Sequence, residues 1–199
     1  GSIHSAATNS AQTWSNNITT TGNSGSWYSS YPATHIFDAT TTNYGHANGD
    51  GSVAAVVTLS FSPAITCNSS VSFFGGLTGS GTGTISINGG TAFNLTTGSS
   101  ATTKTTVAFS GSISSIVVTK TATGGEGLLV YGFEIDGIRL TDNTAFTVPP
   151  VPSIASSVSA NNTYGFSIVS YVGDGENPPS TLGHGLVGAT PKMIFFKNR

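Results

Sequence analysis

The chain has 199 residues, a net charge of −2 and only 7% charged residues, against roughly a quarter in ordinary globular proteins. Such scarcity of Lys and Arg excludes the basic footprint of a nucleic-acid binder, and no apolar run approaches the ~20 residues with which a helix crosses a bilayer. With 29 Ser, 30 Thr and 26 Gly the composition opposes helices, while 37% hydrophobic and 10% aromatic residues are too many for a disordered chain. What remains is an all-β protein with many turns. A single cysteine, Cys67, forbids an intrachain disulfide and reads as a small buried hydrophobe in a strand.

Residues 1–50 are polar and dotted with aromatics. Trp14 reads as a core residue. Trp27, Tyr28 and Tyr31 cluster in the loop-like stretch SGSWYSSYP, where rings beside Ser and Asn suit the face of a sugar through stacking and hydrogen bonds. The alternative is that one or two of these rings cover an open end of a sandwich.

From residue 53 the pattern becomes strand-like. VAAVVTLSF (53–61), VSFF (71–74), TISIN (84–88), TVAFS (106–110), ISSIVVTK (113–120) and GLLVYGFEIDGIRL (127–140) are β-branched or aromatic and mostly bounded by Gly, Ser or Asn. Gly79-Ser80-Gly81-Thr82-Gly83 leads into a strand rather than a helix, so no helix dipole backs it as a phosphate loop, and it reads as a hairpin loop. Asn88-Gly89 and Asp136-Gly137 are two-residue hairpin signals. Short strands about every ten residues predict a sandwich or jelly roll over 1–146.

Pro149, Pro150 and Pro152 then punctuate the chain. They cannot donate to a ladder, and 147–162 reads as a linker. The remaining stretch, 163–199, is too short to hold a core alone. Its two apolar runs, Phe166–Val172 and Met193–Phe196, are expected to pair as the opening hairpin of a second, incomplete β domain. Phe166, Tyr171, Met193, Ile194, Phe195 and Phe196 are therefore expected to be covered by other protein, favouring a homo-oligomer or other assembly.

Catalytic chemistry finds little footing. Glu134 and Asp136 lie two apart on a predicted strand, which would put both on one side, but a glycosidase pair sits at set separations on different elements. No G-x-S-x-G elbow and no HExxH spacing occurs. The chain is read as non-catalytic, and no cofactor is read from its residues.

Two resemblances extend this reading. YGFSIVSYVGDG, Gly183-His184-Gly185-Leu186 and Pro191-Lys192-Met193-Ile194 leading to Lys197-Asn198-Arg199 resemble the opening of a concanavalin A-like domain that recurs in structural proteins of tailed phages. Trp14-Ser15, Phe37-Asp38 with Thr40–Thr42, LSFSPAIT, SINGG, SSIVVT and FEIDGIRL are similar to the galactose-binding-like sandwich that often precedes it. The resemblance implies a virion component (tail fibre, tail-associated or surface-decoration protein) with virion-protein partners, an exposed place on the particle and an affinity for host glycans. It also implies a structural Ca²⁺ held by Asp38, carbonyls near Thr40–Thr42, and Glu134. This chain has Asp38-Ala39-Thr40 where the family pattern has a flexible Gly, and Asp38 by itself reads as an Asx-turn residue. The competing expectation is a carbohydrate-binding module appended to a secreted polysaccharide-degrading enzyme.

Overall fold

The computed structural model describes residues 7–21, 26–48, 54–79, 81–121, 127–148, 156–161, 163–171, 183–186 and 193–195. It divides into two compact units, Ala6–Pro149 and Pro150–Arg199 together with Gly1–Ser5. The first is an all-β sandwich.

One sheet consists of β2 (Ile18–Thr21), β4 (Ala55–Cys67), β9 (Gly111–Lys120), β6 (Gly83–Ile87) and β7 (Phe93–Asn94), in that order. The other runs β11 (Ile138–Arg139), β10 (Gly127–Ile135), β5 (Ser70–Leu77) and β8 (Lys104–Ala108). There β3 (Gly45–Asn48) pairs with the first half of β10, on the side where β11 pairs with the second half. Separately, β1 (Ala7–Asn9) pairs with β12 (Phe146–Val148). Every pairing is antiparallel.

The strands form because their period-2 patterns give each sheet one apolar face. Along β4, Ala55, Val57, Leu59, Phe61, Ile65 and Cys67 are buried; Val71 and Phe73 on β5 and Leu128, Val130, Phe133 and Ile135 on β10 meet them from the other sheet in one core. Trp14 is completely buried, makes a T-shaped contact with Phe61 at 5.6 Å, and its indole N–H donates to the Thr141 carbonyl at 3.0 Å.

Both two-residue turns are as expected. Asn88 and Gly89 (φ 51° and 68°) join β6 to the segment leading to β7, and Asp136 and Gly137 (φ 52° and 79°) join β10 to β11. These are type I′ conformations, which suit the twist of a hairpin. Asp136 does not share a side with Glu134. From the turn its carboxylate accepts the N–H groups of Asn68, Ser69 and Ser70 at 2.6–2.9 Å, and so clamps the β4–β5 connection. Burial raises its pKa, but these bonds, with that of the Ser69 hydroxyl, outweigh it and hold the carboxyl below the ordinary carboxylate value.

Three expectations change. The Gly79–Gly83 segment is a crossover rather than a hairpin loop, because β5 and β6 belong to different sheets. The stretch 147–162 is not all linker: β12 begins at Phe146 and pairs with β1, and β13 (Ser156–Asn161) pairs with β14 (Phe166–Tyr171). The hairpin of the second unit is thus β13–β14, and Met193–Phe195 lies outside any ladder. The turn decides this: Gly165 (φ 69°) donates to the Asn161 carbonyl, and the Asn161 side chain accepts from the Tyr164 N–H. In the same unit, Gly185 approaches β13 so closely that a Cβ there would come 2.7 Å from Val158. Phe166, Tyr171, Met193, Ile194 and Phe195 are exposed, and Phe196 lies outside the described residues.

Candidate functional site

The loop before β3 is held onto that strand by its own backbone. The Tyr28 N–H donates to the His46 carbonyl at 3.0 Å, the His46 N–H to the Tyr31 carbonyl at 2.9 Å, and the Tyr31 N–H to the Tyr28 carbonyl at 2.9 Å. This pinning sends the three expected aromatics different ways. Trp27 bridges to Ala47 and packs half-buried against the core, beside Ile36 and a Gly45 whose Cβ would meet both side chains at 2.7–2.9 Å. Trp27 thus follows the alternative expectation, a ring that covers the sandwich rather than one offered to a ligand. Tyr28 and Tyr31 are each 39% exposed.

Two further tyrosines complete the patch. Tyr44 stacks on Tyr31 with centroids 4.6 Å apart and planes at 12°, and Tyr131 lies 5.0 Å from Tyr44. Tyr28 lies 4.2 Å from His46. Tyr131 arrives there through a register shift: Val130 pairs with Gly75 and Gly132 with Phe74, leaving Tyr131 as an extra residue on β10. Such a bulge reverses the in-out parity of a strand, so Leu128 and Val130 point inward before it and Phe133 and Ile135 after it. Gly132 suits the bulge: its φ of 159° is strained for other residues, and a Cβ there would displace the Arg139 guanidinium, which donates to the Tyr131 carbonyl. The Tyr44 phenol is pushed up to about 12, first by its hydrogen bond to Tyr31, then by burial and by the nearby phenols of Tyr31 and Tyr131.

Beyond Tyr131 the same face turns polar. Lys104 pairs with Glu134 at 2.8 Å, and its ammonium lies 5.0 Å from the centre of the Phe74 ring. The Arg139 guanidinium lies 5.5 Å from that ring. Burial lowers the Arg139 pKa, with the charges of Glu134 and Asp38 acting against it.

The two residues implied for calcium are thus engaged within the protein. Glu134 holds Lys104. Asp38 accepts from the Thr40 N–H at 2.9 Å, an Asx turn, and from the Asn43 amide at 2.6 Å. Among the described residues no group of three or more His, Cys, Asp or Glu is placed to hold a metal ion. Cys67 is buried, and burial first, then the Asp136 charge, pushes its thiol up to about 12. A thiol kept protonated is a poor nucleophile. The chemistry this face offers is contact: ring faces, phenol hydroxyls and a charge-balanced polar end.

Comparison with known proteins gives the following. A family model described as a domain of unknown function (DUF7483) matches residues 142–199, less than half of the chain. No curated protein matches. Among solved structures, the chain is similar to chitosan-binding module 1 derived from the chitosanase/glucanase of Paenibacillus sp. IK-5, with 14% identity over 66% of this chain and 93% of that one and a TM-score of 0.39. It is also similar to the family 32 carbohydrate-binding module of C. perfringens NanJ, solved with galactose, with 17% identity over 62% of this chain and 98% of that one and a TM-score of 0.32.

Proposed function

We propose that the sandwich is a non-catalytic glycan-binding module whose contact surface is centred on Tyr28, Tyr31, Tyr44 and Tyr131. The observation that carries this reading is the tyrosine cluster itself. Four rings from three separate stretches of chain converge on one face, and two of them stay 39% exposed in a protein that buries Trp14, Phe37, Phe73 and Phe133 almost completely. Aromatic rings with hydroxyl rims supply what sugar recognition needs, an apolar plate for C–H faces and hydrogen bonds at its edge. Of the two expectations from sequence, the appended binding module is favoured over the virion component, for which no feature of the fold or of this face argues.

The test is retention of the intact chain on a glycan array, comparing wild type with Tyr28→Ala and Tyr31→Ala. Both replacements are at exposed positions and should leave the fold intact. The reading expects each to weaken binding about tenfold, the worth of roughly one ring contact. Unchanged binding by both folded variants would refute it.

The exposed side chains of β14 and of Met193–Phe195 we assign to self-association of the chain. Sedimentation should then show self-association that Phe166→Ser with Ile168→Ser abolishes; a wild type that is monomeric at high concentration would refute it.

A further inference from the structure

The register of the β3-β10-β5-β8 sheet orders its outer face into rows. His46, Leu129 and Gly76 form one row across β3, β10 and β5. Beside it, Tyr44 and bulged Tyr131 lead to Phe74 on β5 and Lys104 on β8, Phe74 and Lys104 being direct cross-strand partners. Rings and cation form a line from the β3 edge to the β8 edge, about 14 Å at ordinary strand spacing. The Thr97–Ser99 stretch rises beside this line, because its Gly98 carbonyl rests on Gly76 where any Cβ would collide with it.

Among the described residues the line is open to solvent: Tyr31 is 39% exposed, Tyr44, Tyr131 and Phe74 are partly exposed and Lys104 is exposed. Recesses of about 210 and 300 Å³ do exist, one around Phe93 and Phe109 and one around Leu77 and Leu95, but neither includes any of these tyrosines. An enclosed pocket takes hold of one sugar by surrounding it; an open row of rings must gather affinity from several weak contacts in sequence. Its charges are balanced, with Lys104 and Arg139 set against Glu134 and Asp38. Nothing in that balance favours an acidic sugar.

We propose that the ligand is an internal run of an extended chain of neutral sugars, lying across β3, β10, β5 and β8, rather than a single terminal sugar. This rests on the glycan-binding reading above and adds Leu129, Phe74 and Lys104 to its surface.

Affinity electrophoresis of the intact chain in xylan, galactan, mannan and glucan gels, beside gels of the acidic polysaccharides alginate and polygalacturonate, selects the polysaccharide, and calorimetry with its oligomers of one to six units then tests length. Affinity should rise about tenfold or more from the shortest binding oligomer to the hexamer. Lys104→Ala, at a partly exposed position, should weaken the hexamer several-fold and leave the shortest oligomer unaffected. Because Phe74→Ala could disturb the sheet, wild-type amide shifts provide a second readout, and the hexamer should perturb Leu129, Phe74 and Lys104 as well as Tyr31. Length-independent affinity, or shifts confined to Tyr28–His46, would overturn the extended chain while sparing glycan binding. Retention only by acidic polysaccharides would overturn neutrality, and retention by no polysaccharide would sink both proposals.

Discussion

The outer faces of the two sheets share one core but differ in kind. On the β2-β4-β9-β6 sheet the register lines up Thr21, Val56, Thr119 and Thr84 in one row and Thr19, Thr58, Val117 and Ser86 in the next. Not one of these eight is charged or aromatic. In a chain where Ser and Thr make up 59 of 199 residues, such a face is what composition alone would produce. The β3-β10-β5-β8 face departs from it, carrying Tyr44, Tyr131 and Phe74 together with Lys104 and Arg139, two of the six basic residues of the chain. Since either face could have been solvated by hydroxyls, concentrating rings and charges on one of them points to contact with a partner rather than to folding.

The comparison can be broken outright by removing what the two faces share. Trp14→Ala should cost about 3–5 kcal/mol, since it empties a fully buried site and orphans the Thr141 carbonyl. Chemical denaturation should show one cooperative loss of both sheets. Asp136→Ala should cost about 2–4 kcal/mol by freeing the Asn68–Ser70 amides. Its pH dependence has a fixed sign. The folded-state pKa lies below the unfolded value, so the contribution is present above about pH 4 and is lost as pH falls through the folded value. Acid unfolding of wild type and Asp136→Asn should therefore converge at low pH. Smaller still, Lys104→Ala should change stability by less than about 1 kcal/mol, because its ion pair with Glu134 is partly exposed. Tyr44 sharpens the contrast without mutation: absorbance titration should find one phenol ionising near 12, and any stability tied to it is complete below the unfolded value of 10.0 and lost as pH rises towards 12.

Legibility in the sequence followed the same division. The strands β4, β6, β8 and β9 could be read because each alternates strongly enough to specify a buried face, β5 and β10 because they are apolar runs rich in Val, Phe and Leu, and the two I′ turns because Asn-Gly and Asp-Gly tolerate positive φ; β7, two exposed residues, was not read. The short strands β1, β2, β3 and β12 could not. ATN, ITTT, GHAN and FTV carry little pattern, and their pairing with longer strands fixes them. The Gly79–Gly83 turn was visible as a turn, but local chemistry does not say which sheet the next strand joins.

At the candidate site, Tyr28 and Tyr31 could be grouped from their neighbourhood in the chain, and the structure leaves both exposed. Trp27 was placed with them because proximity in sequence does not reveal that its side chain packs against the core. Tyr44 and Tyr131 were missed. They stand 87 positions apart in the sequence, and Tyr131 reaches the outer face through a bulge whose one sequence sign is Gly132 in the middle of a largely apolar strand.

The claim that only one face makes contact is tested most directly by paired replacements compared in a single glycan-binding titration. Tyr31→Ala with Tyr131→Ala alters one face, and Thr58→Ala with Thr119→Ala alters the other, all four being partly or largely exposed. The account predicts that the tyrosine pair loses roughly a hundredfold in affinity, about tenfold per ring contact, while the threonine pair binds like wild type. Equal losses from both pairs, or a loss confined to the threonine pair, would contradict it.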